Sequence, residues 1–192
     1  MARPRQFDEE TALDAALQLF WQKGYVNTSV DDLLTAMSLN RWSLYNTFGD
    51  KEALFLKALE RYVQRWRGEI AQLVAAEPSP RARARRLLDA LFTQVRSDSR
   101  AWGCLIVNSA FEFVQIPERA QAIVKRSLAS LERLFADAVA QAQAAGELPA
   151  DRDPHAVART LLAGLNGARA AWKLQQSKAA VDSVRDLLVS FI

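Results

Sequence analysis

Apolar residues recur at steps of three and four along most of the chain, and no stretch alternates with the period of two that marks a half-buried strand. The pattern predicts an all-α protein of about nine helices. Leu13, Leu17 and Phe20, with Ala16 alongside, stripe a first helix that opens on Asp8, Glu9 and Glu10, acids that suit the positive end of a helix dipole. Thr28 is the expected N-cap of a second helix, with Asp31 three residues on completing a capping pattern ahead of Leu33 and Leu34. That helix ends at Met37, and Ser38 and Leu39 turn the chain. Asn40 then caps a third helix that runs to Phe48 and stops at Gly49. Leu44 and Phe48, four apart, share one face of it, which leaves Arg41, Trp42, Tyr45 and Asn46 pointing elsewhere. A short helix that buries two side chains and displays a guanidinium, two aromatic rings and an amide is built to touch a partner.

From Asp50 a longer helix runs toward Val74 on a stripe of Phe55, Leu59, Tyr62, Trp66, Ile70 and Leu73. It exceeds what a three-helix module needs and is expected to connect that module to the rest. Pro78 and Pro80 break the chain and place the best boundary at residues 75 to 80. A helix over 81 to 98 carries Leu87, Leu88, Leu91, Phe92 and Val95, while Arg81, Arg83, Arg85 and Arg86 near its start read as a solvated face. Residues 103 to 114 are apolar all round, through Cys104, Leu105, Ile106, Val107, Ala110, Phe111 and Phe113, so this helix is expected to be buried on most sides. Asn108 and Glu112 inside it then need partners, in the protein or in a ligand. Beyond Pro117 a helix reaches Ala145 and stops at Gly146. Asp153 caps another that begins at Pro154 and is striped by Val157, Leu161, Leu165, Ala168 and Trp172, and a last helix carries Val181, Val184, Leu187, Leu188 and Phe191.

Composition narrows the function classes. A chain of 192 residues, half of them hydrophobic, supports one sizeable core or two small ones. No uncharged apolar run approaches the roughly 18 residues that span a bilayer, and the N-terminus lacks a secretory pattern. The expectation is a cytoplasmic protein without a membrane partner. One cysteine, Cys104, excludes an internal disulfide and fits a reducing compartment. The net charge is +3, but up to Arg67 the basic and acidic residues balance at nine each, so bulk charge makes no case for nucleic acid. Arg3 and Arg5 in the arm before Phe7 suit either a minor-groove contact or a frayed terminus. His155 is the sole histidine, and Cys104 has no cationic neighbour in its apolar helix, so it reads as a packing thiol. Metal, phosphate-loop and nucleophile-elbow motifs are absent. The reading is therefore no enzyme, no metal and no cofactor. Two alternatives stay open: a helical adaptor that binds protein through Trp42 and Tyr45, and a helical enzyme.

The run Ser43-Leu44-Tyr45-Asn46-Thr47-Phe48-Gly49-Asp50-Lys51-Glu52-Ala53-Leu54-Phe55 resembles the end of the helix-turn-helix in TetR/AcrR transcriptional regulators, and the resemblance extends over residues 6 to 66. Gly103 to Glu112 (GCLIVNSAFE) is similar to a segment found in a subset of the same family. Trp42 departs from it, standing where relatives carry a small, proline or polar residue. The resemblance implies a helix-turn-helix DNA-binding domain over 1–50, extending to about 66, and an effector-binding and dimerisation domain over 51–192. It implies a sequence-specific regulator, most often a repressor that a small molecule releases from its operator. By position, Arg41 reads bases, Trp42, Ser43 and Asn46 face the groove, with Asn46 open to adenine or to phosphate, and Thr28, Ser29, Tyr45, Thr47 and Lys51 contact phosphate, unless Tyr45 instead packs the third helix on the second. The fork of Arg41 matches the O6 and N7 acceptors of guanine. Tyr62, Trp66, Phe92, Trp102, Cys104, Asn108, Phe111, Glu112 and Trp172 are the expected walls of the effector pocket. The two C-terminal helices are expected to pair with their copies in a homodimer. A dimer also has physical motivation, because one helix-turn-helix makes too few base contacts to select a site, whereas two reach palindromic half-sites one turn of DNA apart.

Overall fold

The described residues of the computed structural model, 7–75, 77–97, 102–175 and 177–192, form helices α1 (Glu9–Lys23), α2 (Val30–Met37), α3 (Arg41–Phe48), α4 (Lys51–Ala75), α5 (Pro80–Ser97), α6 (Leu105–Phe111), α7 (Glu118–Ala144), α8 (Pro154–Gln175) and α9 (Lys178–Val189). The arm carrying Arg3 and Arg5 lies outside the described residues. The all-α expectation holds, and the first boundaries have local causes. Asp8 caps α1, accepting from the Glu10 amide at 3.1 Å, and Gly24 ends it at a φ of 79° that a side chain would resist.

Contacts divide the chain into two units. The first holds the described residues up to Arg65 together with Cys104–Lys125, and the second holds Trp66–Gly103 and Arg126–Ile192. In the first, α1 packs on α2 and α6 around fully buried Phe20, Leu33, Leu44, Leu54, Phe55 and Leu59. Phe20 and Phe55 meet edge to face with centroids 5.0 Å apart, and Tyr25 lies 4.7 Å from Phe55. On the flank, the α1 acids Glu10 and Asp14 are tied to Arg61, and Arg65 bonds Asp14 at 2.7 Å. The hydrogen bond from Arg61 is the main cause holding the Asp14 carboxyl below the usual carboxylate range.

In the second unit α5, α8 and α9 pack against one another around Leu88, Phe92, Phe135, Leu161, Leu165 and Val181. Gly164 lets α9 approach, since a Cβ there would sit 2.7 Å from Leu188 Cδ1. Arg185 grips Asp89 at 2.7 Å and Arg96 grips Asp182 at 2.5 Å, two ion pairs between α9 and α5.

One expectation fails in α6. Rather than a helix over 103 to 114 buried on most sides, the chain makes two turns, Leu105–Phe111, with Cys104 extended at the N-cap. Phe111 and Val114 are 87% and 89% exposed. Apolar character all round exceeded what neighbouring elements cover, and only Leu105, Ile106 and Ser109 of the helix are buried.

Candidate nucleic-acid interface

The second and third helices are set by side-chain caps at both starts. Ser29 Oγ accepts from the Asp32 amide while Asp32 returns a carboxylate oxygen to the Ser29 amide, each at 3.0 Å, a reciprocal capping box. This corrects the sequence expectation by one residue. Thr28 is completely buried and its hydroxyl donates to the Gly24 carbonyl at 2.6 Å, so it does not cap α2. The two patterns are equivalent in sequence, and burial of the Thr28 methyl decided between them. The backbone amide of Ser29, its hydroxyl and Lys23 together pull the Asp32 pKa down from 3.8 to about 2.

Met37 ends α2, and Ser38 makes the sharp turn in the left-handed region at φ 53° and ψ 41°. Asn40 Oδ1 then accepts from the Ser43 amide at 2.8 Å and starts α3, and Gly49 stops it. Leu44 and Phe48 are buried, while Arg41, Trp42, Tyr45 and Asn46 are exposed, Trp42 at 74%. Ser43 and Thr47 are half-buried on the margin of that face. Asp50 caps α4 by accepting from the Ala53 amide at 2.8 Å. The α3 face thus carries one cation, two rings and one amide on a helix fixed at both ends.

Two electrostatic details refine this face. Arg41 Nη2 bonds Asp31 Oδ1 at 2.6 Å, so the guanidinium is held from α2. Lys51 is half-buried, with Nζ 4.3 Å from the Tyr25 ring centroid; burial lowers its pKa and the negative charge of Glu112 opposes that shift.

A helix-turn-helix with this outward face, ahead of a helical second unit, is matched by known proteins over nearly its whole length. Residues 12–58 match the family model described as bacterial regulatory proteins, tetR family, and residues 80–188 match the tetracyclin repressor-like C-terminal domain. The chain belongs to the TetR family. A helix-turn-helix regulator of Bacillus subtilis (strain 168), YezE, is 32% identical over 84% of each chain. The repressor ComR of Escherichia coli (strain K12) is 34% identical over 77% of this chain and 70% of its own. Among solved structures, a cysteine-substituted CifR complexed with 26 bp of double-strand operator DNA superposes with a TM-score of 0.83 at 28% identity, covering 98% of both chains. This TetR-family chain is therefore a sequence-specific DNA-binding transcriptional regulator, and DNA and a second copy of itself are its partners. No helix among the described residues is long and apolar enough to cross a membrane, and no described group of three or more His, Cys, Asp and Glu is placed to hold a metal.

The nine residues expected to wall an effector pocket fall in different units. Tyr62, Cys104, Asn108, Phe111 and Glu112 belong to the first, and Trp66, Phe92, Trp102 and Trp172 to the second. Tyr62 and Cys104 do meet, with Oη 3.5 Å from Sγ, and Tyr62 stands edge-on to Trp21. In the second unit Phe92 is sealed in the core, with Trp66 and Trp172 packed against it. Trp66 also lines a void of about 20 Å³ with Ile70, Leu73, Leu87 and Leu91; that is space for no more than a water. Phe111 points to solvent. Glu112 is already engaged, accepting from the Tyr25 amide at 2.8 Å. Helical spacing gives no sign of that bond, which joins residues 87 apart.

Proposed function

We propose that this regulator is a repressor that sits as a homodimer on a palindromic operator and is released by a small molecule. The observation that carries the DNA half of the reading is the outward face of α3, where Arg41, Trp42, Tyr45 and Asn46 are exposed on a helix anchored by Leu44 and Phe48. Arg41 reads guanine, while Trp42, Ser43 and Asn46 lie along the groove and Ser29, Tyr45, Thr47 and Lys51 approach phosphates. Trp42 offers an indole to a thymine methyl or a sugar edge. The repressor ComR and the operator-bound CifR support the reading.

The domain carrying these contacts spans 1–50 and continues toward 66, and residues 51–192 take the effector and the second subunit. The dimer surface is the outer face of α8 and α9, where Leu174 and Leu187 are exposed at 82% and 64%. Covering such side chains favours association. The effector must bind the DNA-incompetent state more tightly than the competent one for release to follow.

Selection of bound duplexes from a random-sequence pool, followed by sequencing, tests the reading. The expected result is a two-fold symmetric site, with half-sites roughly 34 to 36 Å apart or a multiple of that. Recovery of no preferred sequence by the purified chain overturns it.

A further inference from the structure

Glu112 lies beside the helix-turn-helix, where three observations meet. Its carboxylate Oε2 accepts a hydrogen bond from the Tyr25 amide, the first backbone donor after the Gly24 cap of α1. The same carboxylate fills the space over Gly24, where any Cβ would collide with it. Across the Tyr25 ring stands the ammonium of Lys51, the first residue of α4, within the electrostatic reach of Glu112. Glu112 itself is held firmly as the C-cap of α6, its carbonyl accepting from the amides of Gln115 at 2.8 Å and Ile116 at 3.1 Å.

We propose that Glu112 is a positioning residue for DNA reading. It fastens the α1–α2 connection, residues 24 to 29, to α6 and so sets the direction in which α2 and α3 leave α1. The connection has no regular secondary structure to hold it. Thr28 ties it back to Gly24, and a charge-assisted bond to the Tyr25 amide, in a half-buried place, adds a tie from it to α6. Gly24 fits this role twice, by accepting a positive φ and by leaving room for the carboxylate. The proposal rests on the groove role of α3.

The test uses the full chain with Glu112→Ala and Glu112→Gln. Operator affinity is titrated at several salt concentrations, and exchange of the Tyr25 amide is followed by NMR without DNA. Glu112→Ala is expected to weaken operator binding on the order of tenfold, the factor by which a freed connection would lower the share of chains with α3 set for the groove. The slope of log affinity against log salt should not change, because no phosphate contact is removed. Tyr25 exchange should accelerate. Glu112→Gln keeps an acceptor and is expected to recover most of the affinity, which also serves if the alanine variant folds poorly. Unchanged operator affinity in Glu112→Ala overturns the proposal even if Tyr25 exchange rises. Tighter binding with a steeper salt slope also overturns it, since the carboxylate would then be restraining Lys51 from DNA. A wild-type chain that selects no duplex at all sinks the groove reading of α3 instead, and is distinguished by that control.

Discussion

Arg41 is held by Asp31 through a contact with both side chains more than half exposed. A pair so exposed contributes little stability, so its consequence is orientation. Arg41→Ala is expected to cost about 1 to 3 kcal/mol against the selected operator and little against scrambled duplex, whereas Lys51→Ala should weaken both alike. Gel-shift titrations on the two duplexes separate these outcomes, and equal losses for Arg41→Ala would remove it from base readout. At Asp32 the sign of the pH effect follows from a folded pKa of about 2 against an ordinary 3.8. A carboxyl lowered on folding adds stability that is complete above the ordinary value and is lost as pH falls toward the folded one. The start of α2 is therefore expected to loosen between about pH 4 and pH 2, seen as accelerated exchange of the Ser29 and Asp32 amides, and Asp32→Asn should abolish that dependence. Of the residues at this scale, Leu44, Phe48, Asn40 and Gly49 were legible in the sequence, because helix faces and caps are local. The Ser29 cap and the Glu112 bond were not, since each depends on what lies over Thr28 and Tyr25.

Helices here are cut by their caps and aimed by their buried faces. Ser29→Ala removes half of the α2 capping box and is expected to destabilise the first unit by about 1 kcal/mol, measured by urea unfolding. Two glycines inside helices make a matched pair. A Cβ at Gly68 in α4 meets nothing within 4 Å, so Gly68→Ala should stabilise by about 1 kcal/mol through helix propensity alone. A Cβ at Gly164 in α8 would press on Leu188 Cδ1 and Cδ2 at 2.7 and 2.9 Å, and Leu188 is buried. Gly164→Ala should therefore lose that gain or reverse it, and thermal melts of the two variants decide. The element the sequence misjudged was α6. Its apolar residues surround the axis, but a helix can be no more buried than its neighbours allow, and Phe111 is left 87% exposed.

At the scale of the molecule, two units each have their own core, and α6 belongs with the N-terminal helices although it lies some 40 residues beyond the end of α4's first half. Such a grouping places the end of α6 against the α1–α2 connection. The proposed dimer surface is open to a direct check. Leu187→Asp puts a charge among apolar side chains and is expected to shift the chain toward monomer in light scattering, with a loss of operator affinity that a higher protein concentration partly restores. A variant that stays dimeric and binds normally would place the partner surface elsewhere.

The order of residues by itself determined the all-helical class, the turn between α2 and α3, the buried pair on α3 and the side chains it leaves outside. Those depend on interactions three or four residues long, and the spacing of apolar and capping residues records them directly. Tertiary structure alone decided which of two adjacent hydroxyls caps α2, that Arg41 is held by Asp31, how much of α6 is covered, and that Glu112 reaches Tyr25. Each of these depends on which groups folding brings together and which it seals from water, and a linear pattern records neither.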